Sequence, residues 1–320
     1  LAARLREPGL EYRATLASEL QAAVAGGVTS LACPPDTDPP LDEPGLVQML
    51  KHRARLLNLA HVYPVGALTQ NLQGEKISEL AELSEAGCVA FSQAALPIHD
   101  HRVLFRAFQY AATFGFSVWL RPQDATLARD GVAHDGQTAT RLGLNAIPVA
   151  AETLAIYTIL TLAQEAGVRV HLCRLSSAKG VQMVREAKAQ GLPISCDVAV
   201  HHLHLTDVDM GFFDSAYHVN PPFRSEEDRQ ALWQGLQDGT IDAICSDHTP
   251  VDEDCKLVPF AESEAGVTAL ELLLPLTLQW ANQHNICLGQ ALKAVTSAPA
   301  ALLGINAGRI ALGAPADLCL

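Results

Sequence analysis

Val168-Arg169-Val170-His171-Leu172 is followed by a helical pattern over 178–189 and then by a second β-rich run, Ile194-Ser195-Cys196-Asp197-Val198-Ala199-Val200. Two strand-forming runs joined through a helix make a strand–helix–strand unit, whose strands lie parallel through a right-handed crossover. The alternation continues outward in both directions. Upstream, 29–32 precedes a helix over 45–57, 62–68 one over 75–86, 89–92 one over 102–113, and 117–120 one over 150–166. Downstream, 243–246 precedes a helix over 268–282, and residues 1–5 supply a further strand ahead of a helix over 15–25. Eight such units in 320 residues predict an α/β fold, a closed (β/α)8 barrel of the TIM type. An open doubly wound sheet is the competing architecture. A Gly-rich dinucleotide fingerprint after the first strand would favour it, and none is there.

Composition narrows the function classes. Hydrophobic residues make up 49% and charged residues 18%, which suits a buried core and argues against disorder or a coiled coil. Lys and Arg number 22 against 35 Asp and Glu, a formal charge of -13. A duplex nucleic-acid binder presents a basic face, so no nucleic-acid partner is expected, and anionic membrane surfaces are disfavoured for the same reason. No uncharged apolar run reaches the ~20 residues that span a bilayer. No basic-then-apolar export signal opens the chain, although it starts at Leu1 without a Met and leaves room for residues upstream. The eight cysteines include no C-x-x-C pair and mostly sit in apolar runs, so they read as buried thiols of a cytoplasmic protein.

Chemistry in such barrels sits at the carboxyl ends of the strands. There the sequence places Ala2, Arg4 and Arg6-Glu7-Pro8-Gly9, then Asp36, Phe91-Ser92-Gln93-Ala94-Ala95, Arg121, Arg174, His201-His202-Leu203-His204 and Ser246-Asp247-His248-Thr249-Pro250-Val251. Two long connections, 123–147 and 206–224, flank that end. The tail over 307–320 reads as a turn plus an edge strand outside the barrel.

Several of these stretches together resemble dihydroorotases, members of the amidohydrolase superfamily of metal-dependent barrels. They are Arg-Glu-Pro-Gly at 6–9, His-His-Leu-His-Leu-Thr-Asp at 201–207, Val219-Asn220-Pro221-Pro222 with Arg224, Ser-Asp-His-Thr-Pro at 246–250, the segment 266–270 and Gly-Ala-Pro-Ala-Asp at 313–317. The resemblance implies a barrel over 1–304 and a remnant of a small β-sandwich, built from both chain ends, to which 305–320 contribute. It also implies a two-zinc centre, and here the sequence departs from the family. The His-x-His positions ahead of Arg6 are Ala2 and Arg4, the stretch 91–95 offers neither the bridging Lys nor an Asp, and the two later His positions fall at Arg121 and Arg174. Only Asp247 remains of the metal-site residues. Of the family's substrate contacts, Arg6 and Asn220 are present, whereas Asp36 and Val251 stand where an Asn and a His are expected.

Zinc needs at least three protein ligands of thiolate, imidazole or carboxylate type in a catalytic site, so neither metal nor cofactor is expected here. Without a metal, water keeps a pKa near ~15.7 and no hydroxide forms at neutral pH. Asp247 is therefore expected to be a vestigial group that pairs with one or more of Arg4, Arg121 and Arg174, because a buried lone carboxylate is costly. His202 and His204 would share one face of a strand, too few donors for zinc unaided. Asp36, Asp38 and Asp42 read as a solvated loop and helix start. Arg6 and Asn220 remain candidate ligand contacts.

The resemblance further implies a role without catalysis. Inactive dihydroorotase-like chains assemble with the catalytic chain of aspartate carbamoyltransferase in bacterial pyrimidine biosynthesis, and that is the leading expectation. Two alternatives stay open. One is a dihydroorotase or other cyclic-amide hydrolase with a rearranged site around Asp247, His248 and the 201–204 histidines. The other is a regulatory protein that binds a small anion through Arg4, Arg6, Arg121 and Arg174.

Overall fold

Caps set where the helices of this chain begin and end. In the computed structural model, which describes residues 1–319, Thr15 and Ser18 close a capping box at the start of α1 (Leu16–Ala25). Strand β1 (Ser30–Cys33) leads to α2 (Pro44–Leu57), which opens on a proline and stops where Asn58 turns left-handed. Then come β2 (His61–Ala67), α3 (Leu80–Ala86), β3 (Ala90–Ser92), α4 (His101–Phe114) and β4 (Ser117–Leu120). The long connection after β4 holds β5 (Ala133–His134), α5 (Gln137–Leu142) and β6 (Ala146–Ile147) before α6 (Val149–Ala166). Strand β7 (Arg169–Leu172) precedes α7 (Ala178–Ala189), whose first turn is capped by the Ser177 hydroxyl. Strand β8 (Ile194–Ala199) is followed by α8 (Glu226–Gln237), which carries a Ser225–Asp228 capping box. Strand β9 (Ala243–Cys245), α9 (Leu273–Gln283), α10 (Leu288–Val295) and α11 (Ser297–Leu303) follow.

The main sheet runs β1-β2-β3-β4-β7-β8-β9 with every pair parallel. The amino-terminal segment closes it. Ala3 N donates to Ala32 O at 3.0 Å beside β1, and Arg4 N donates to His248 O at 2.9 Å just past β9. The expected first strand thus shrinks to a single bridge, Ala3 with His248, yet it completes the ring of eight staves. Strands β5 and β6 pair apart from the barrel, inside the first long connection.

Adjacent strand residues divide between two cores, as the two-residue period of a strand requires. Ala32, Val65, Ala90, Trp119 and Cys173 pack into one inner cluster. Leu31, Cys33, Val118, Leu120 and Leu172 face outward and join the main cluster with helix residues such as Leu50, Phe108, Ile156 and Val184. Cys33, Cys88, Cys173, Cys196 and Cys245 are buried and unbridged.

Some boundaries differ from the sequence expectation. The helix expected from 75 begins only at Leu80, because Gln70–Leu72 forms a 3-10 turn and Gly74 a left-handed kink ahead of it. The helix expected over 268–282 starts at Leu273. Helices α10 and α11 were not expected at all. The edge strand expected in 307–320 does not form over 307–319, where Ala314 N bonds back to Ala311 O in a turn and no ladder partner is present among the described residues. Leu320 lies outside the described residues. The assignment of 305–320 to a sandwich therefore draws no support from strand pairing. No helix is long and apolar enough to cross a membrane among the described residues.

Candidate functional site

Four guanidiniums converge on the carboxyl end of the barrel. Arg4 leaves the closing segment, Arg174 follows β7, Arg121 follows β4, and Arg6 enters through the loop after Arg4. Asp247 follows β9 and meets two of them. Arg174 Nη1 donates to Asp247 Oδ1 at 2.5 Å, and Arg4 Nη1 approaches the same oxygen at 3.5 Å. All three side chains are nearly sealed, between 5 and 8% exposed. Burial works against the Arg174 charge, but the adjoining Asp247 outweighs it and holds the guanidinium pKa above its ordinary value. The expected pairing of Asp247 therefore forms with Arg174 and Arg4.

Arg121 is different. It reaches the Ala95 carbonyl through Nη2 at 3.0 Å, while its Nε and Nη1 are buried without a partner. Burial, reinforced by Arg174 and Arg4, lowers its pKa to about 9. Arg121 takes no part in that pairing, since Arg174 and Arg4 already occupy the carboxylate.

Arg4 is clamped on both sides. Its Nε donates to Asp36 Oδ2 at 2.6 Å and its Nη1 to Thr249 Oγ1 at 2.8 Å. Asp36 is thus not the solvated loop residue expected from sequence. Burial alone would raise its pKa, but the Arg4 charge and hydrogen bond bring it below the usual carboxylate range. Arg6 Nε donates to Pro250 O at 2.8 Å. Ala2 is half-buried at φ 55° beside this cluster. Asn220 also lines the cavity, with its side-chain oxygen buried and unpaired.

Buried polar contacts behind the arginines hold Arg174 in place, and sequence reasoning missed them. Asp197, in β8, accepts the Arg174 backbone N–H at 2.6 Å and contacts His171 Nε2 at 3.2 Å, while His171 Nδ1 meets Ser195 Oγ at 2.9 Å. The alternation of His171 and Asp197 with apolar neighbours was the available signal, since both point inward from adjacent strands. His248 is bound by Glu19 through Nε2, and its Nδ1 accepts from Ala269 N at 3.1 Å, so it locks α1 to the loop ahead of α9. His201 and His202 lie in a 3-10 turn after β8 rather than on a strand, and His204 turns away to the Leu276 carbonyl. Both nitrogens of His201 lack partners, and burial brings its pKa down to about 4.

The zinc pair implied by the resemblance does not fit these residues. At Asp247 the neighbours are cations, which repel a metal ion. Gln93, from the stretch where a bridging group is expected, bonds instead with Thr69 Oγ1 and the Leu72 carbonyl. Among the described residues, one trio of donor atoms lies within 4.8 Å of one another, His171, Cys173 and Asp197. Two of the three are already hydrogen-bonded to each other, burial pushes the Cys173 thiol well above its ordinary pKa, and Arg174 directly follows Cys173.

Comparison with known proteins agrees with this architecture. Residues 1–180 match the family model described as dihydro-orotase-like. A Dihydroorotase-like protein of Pseudomonas aeruginosa is 45% identical over 320 residues, covering 100% of this chain and 76% of that one. A Dihydroorotase of Syntrophotalea carbinolica is 38% identical over 316 residues, covering 99% of this chain and 74% of that protein. Among solved structures, the L-hydantoinase (dihydropyrimidinase) of Arthrobacter aurescens superposes with a TM-score of 0.87 at 24% identity, over 98% of this chain and 73% of that one, which speaks for the barrel fold alone. On the family match and these identities, the chain belongs to the dihydroorotase-like family of the amidohydrolase superfamily.

Proposed function

We propose that this chain is a non-catalytic dihydroorotase-like subunit, which assembles in the cytoplasm with the catalytic chain of aspartate carbamoyltransferase and supports its activity in pyrimidine biosynthesis. The observation that carries the loss of catalysis is the Arg174–Asp247 ion pair at 2.5 Å. Hydrolysis of a cyclic amide at neutral pH needs an activated water and a group to move its proton. Asp247 is the acid–base candidate at the mouth, and a guanidinium tied to its oxygen neither supplies hydroxide nor accepts a proton. His248, the next candidate, is spent on Glu19 and the Ala269 backbone, away from the cavity. Without that chemistry, what remains to act is the surface and the pocket, and the partner follows from the family resemblance.

Two measurements test this. Purified protein assayed with dihydroorotate and zinc should show no turnover above the uncatalysed rate and no stoichiometric metal. Turnover that tracks bound zinc would overturn the reading in favour of a rearranged hydrolase, as the relatives named dihydroorotase would suggest. Co-expression with the transferase should give a larger assembly and higher transferase activity than the transferase alone. Equal size and equal activity would remove the subunit role.

A further inference from the structure

The arginine cluster leaves positive charge over. A cavity of about 280 Å³ opens between the Arg4–Asp247 side of the mouth and the Asn220 loop. Arg13 and Glu264 on its rim cancel each other through two hydrogen bonds of 2.6 and 2.9 Å. The rest of its charged lining is Arg4, Arg6, Arg121 and Arg174 against Asp36 and Asp247, a surplus of two positive charges in a chain whose formal charge is -13. The surplus is localised. Arg4 and Arg174 are consumed by the two carboxylates, whereas Arg121 touches only a carbonyl and Arg6 bonds a carbonyl through Nε. Arg121 Nε and Nη1 and Arg174 Nε are buried without partners, and both residues line this one space.

Buried polar groups are satisfied in all but a few instances, and an unpartnered buried cation is among the costliest exceptions. Three unpartnered guanidinium nitrogens, on two residues that line one cavity, point to an anionic ligand there. We propose that the cavity binds a small doubly charged oxyanion, a dicarboxylate or a phosphate, with Arg121 as its principal cation and Arg6 as the second. The site uses positions where a metal-dependent relative would need imidazoles, and guanidinium forks suit a planar carboxylate or a phosphate. This inference does not depend on the transferase partnership, because it concerns the chain's own pocket.

The test is isothermal calorimetry and thermal shift on the full-length protein at low salt, with malate, succinate and inorganic phosphate as probes, and with acetate and chloride as monovalent controls. The divalent probes should bind and raise the melting temperature, and the monovalent anions should not. Which of malate, succinate and phosphate binds best distinguishes a carboxylate from a phosphate ligand. Arg121→Gln should weaken binding about tenfold or more. The same variant without ligand should melt close to wild type, since it removes a buried charge that has no carboxylate beside it and gives up one hydrogen bond, to the Ala95 carbonyl, so lost binding cannot be ascribed to unfolding. Arg121→Lys, which retains the charge but not the fork, should bind with intermediate affinity. No heat and no thermal shift with any divalent probe at about 10 mM, well above a Kd of about 1 mM, would overturn the proposal, and so would equal affinity of wild type and Arg121→Gln.

Discussion

Replacing Arg174 with Met strips Asp247 of its nearest cation while leaving a side chain of similar length in the barrel mouth. The pair is 2.5 Å apart, with Arg174 5% and Asp247 6% exposed. Removing one partner of a buried ion pair destabilises by about 3–5 kcal/mol, because the surviving charge keeps its desolvation penalty. Here Arg4 remains 3.5 Å from the same oxygen, and it is already engaged with Asp36 and Thr249, so it offsets part of the loss. The expected cost is about 2–3 kcal/mol. For a chain of 320 residues, whose unfolding entropy is about 0.7 kcal/mol/K, that lowers the melting temperature by roughly 3–5 °C. Backbone conformation does not confound the comparison, since Met at 174 meets the same left-handed φ of 61° as Arg does. The assay is thermal and urea denaturation of Arg174→Met, Asp247→Asn and the double variant. If the pair is the dominant interaction, the double variant recovers at least ~1 kcal/mol relative to the sum of the single changes. A single variant that melts within about 1 °C of wild type, or strictly additive losses, would refute the account of the mouth as charge-compensated.

Two further outcomes follow from the same geometry. Burial holds the His201 and His218 imidazoles down to about 4, from an ordinary 6.5, so the unfolded chain takes up protons below pH ~6.5 that the folded chain refuses until near pH ~4. Stability should therefore fall as the pH drops through that window, and His201→Leu should flatten the fall by about 3 kcal/mol at the acid end, read as melting temperature against pH. An unchanged slope in His201→Leu would contradict the buried, unpartnered placement of this ring. Restoring imidazoles with Ala2→His and Arg4→His should yield neither stoichiometric zinc nor dihydroorotate turnover, because Arg174 still occupies Asp247 and no bridging ligand exists in 91–95. Elemental analysis and the hydrolysis assay decide it, and recovered activity would show that the ligand accounting is wrong.

The barrel was legible because its strands are buried on both faces, and a parallel sheet wrapped in helices writes itself as alternating apolar runs and helical patterns. Legibility failed where local signals are weak or the answer is long-range. Residues 288–303 form two helices that a single pattern search blurs, since Thr296 breaks them at φ -125°, ψ -87° and Pro299 sits inside the first turn of the second. Asp36 looked solvated among Asp38, Asp42 and several prolines, and only the fold reveals that Arg4 waits across the mouth at 2.6 Å. Arg4, Arg174 and Asp247 could be brought together from sequence because strand ends of one barrel must converge. Arg121 could not be placed the same way, because its long side chain had a choice between a crowded carboxylate and a backbone carbonyl, and charge repulsion from Arg174 and Arg4 favours the carbonyl.

The backbone of the mouth sharpens the contrast between scaffold and site. Ala2, Arg6, Ala94, Arg174 and Asp247 all have φ between 45 and 61°, and all but Ala2 stand at or just past the end of a stave. A non-glycine residue there costs about 1 kcal/mol or more, and such strain persists only where surrounding contacts over-determine it. Those contacts are visible. Asp197 holds the Arg174 backbone, Arg174 and Arg4 hold Asp247, and the Pro250 carbonyl holds Arg6. A barrel kept for its outer surface alone gains nothing from concentrating strain and unpaired guanidiniums at one mouth, where glycines and small apolar residues would relieve both. The same features are what preorganisation of charged groups around a small ligand requires, with the side chains fixed before the ligand arrives. The proposed partner binding through the surface and the proposed anion binding in the mouth are therefore compatible, and it is the second proposal that gives a reason for a mouth built of arginine.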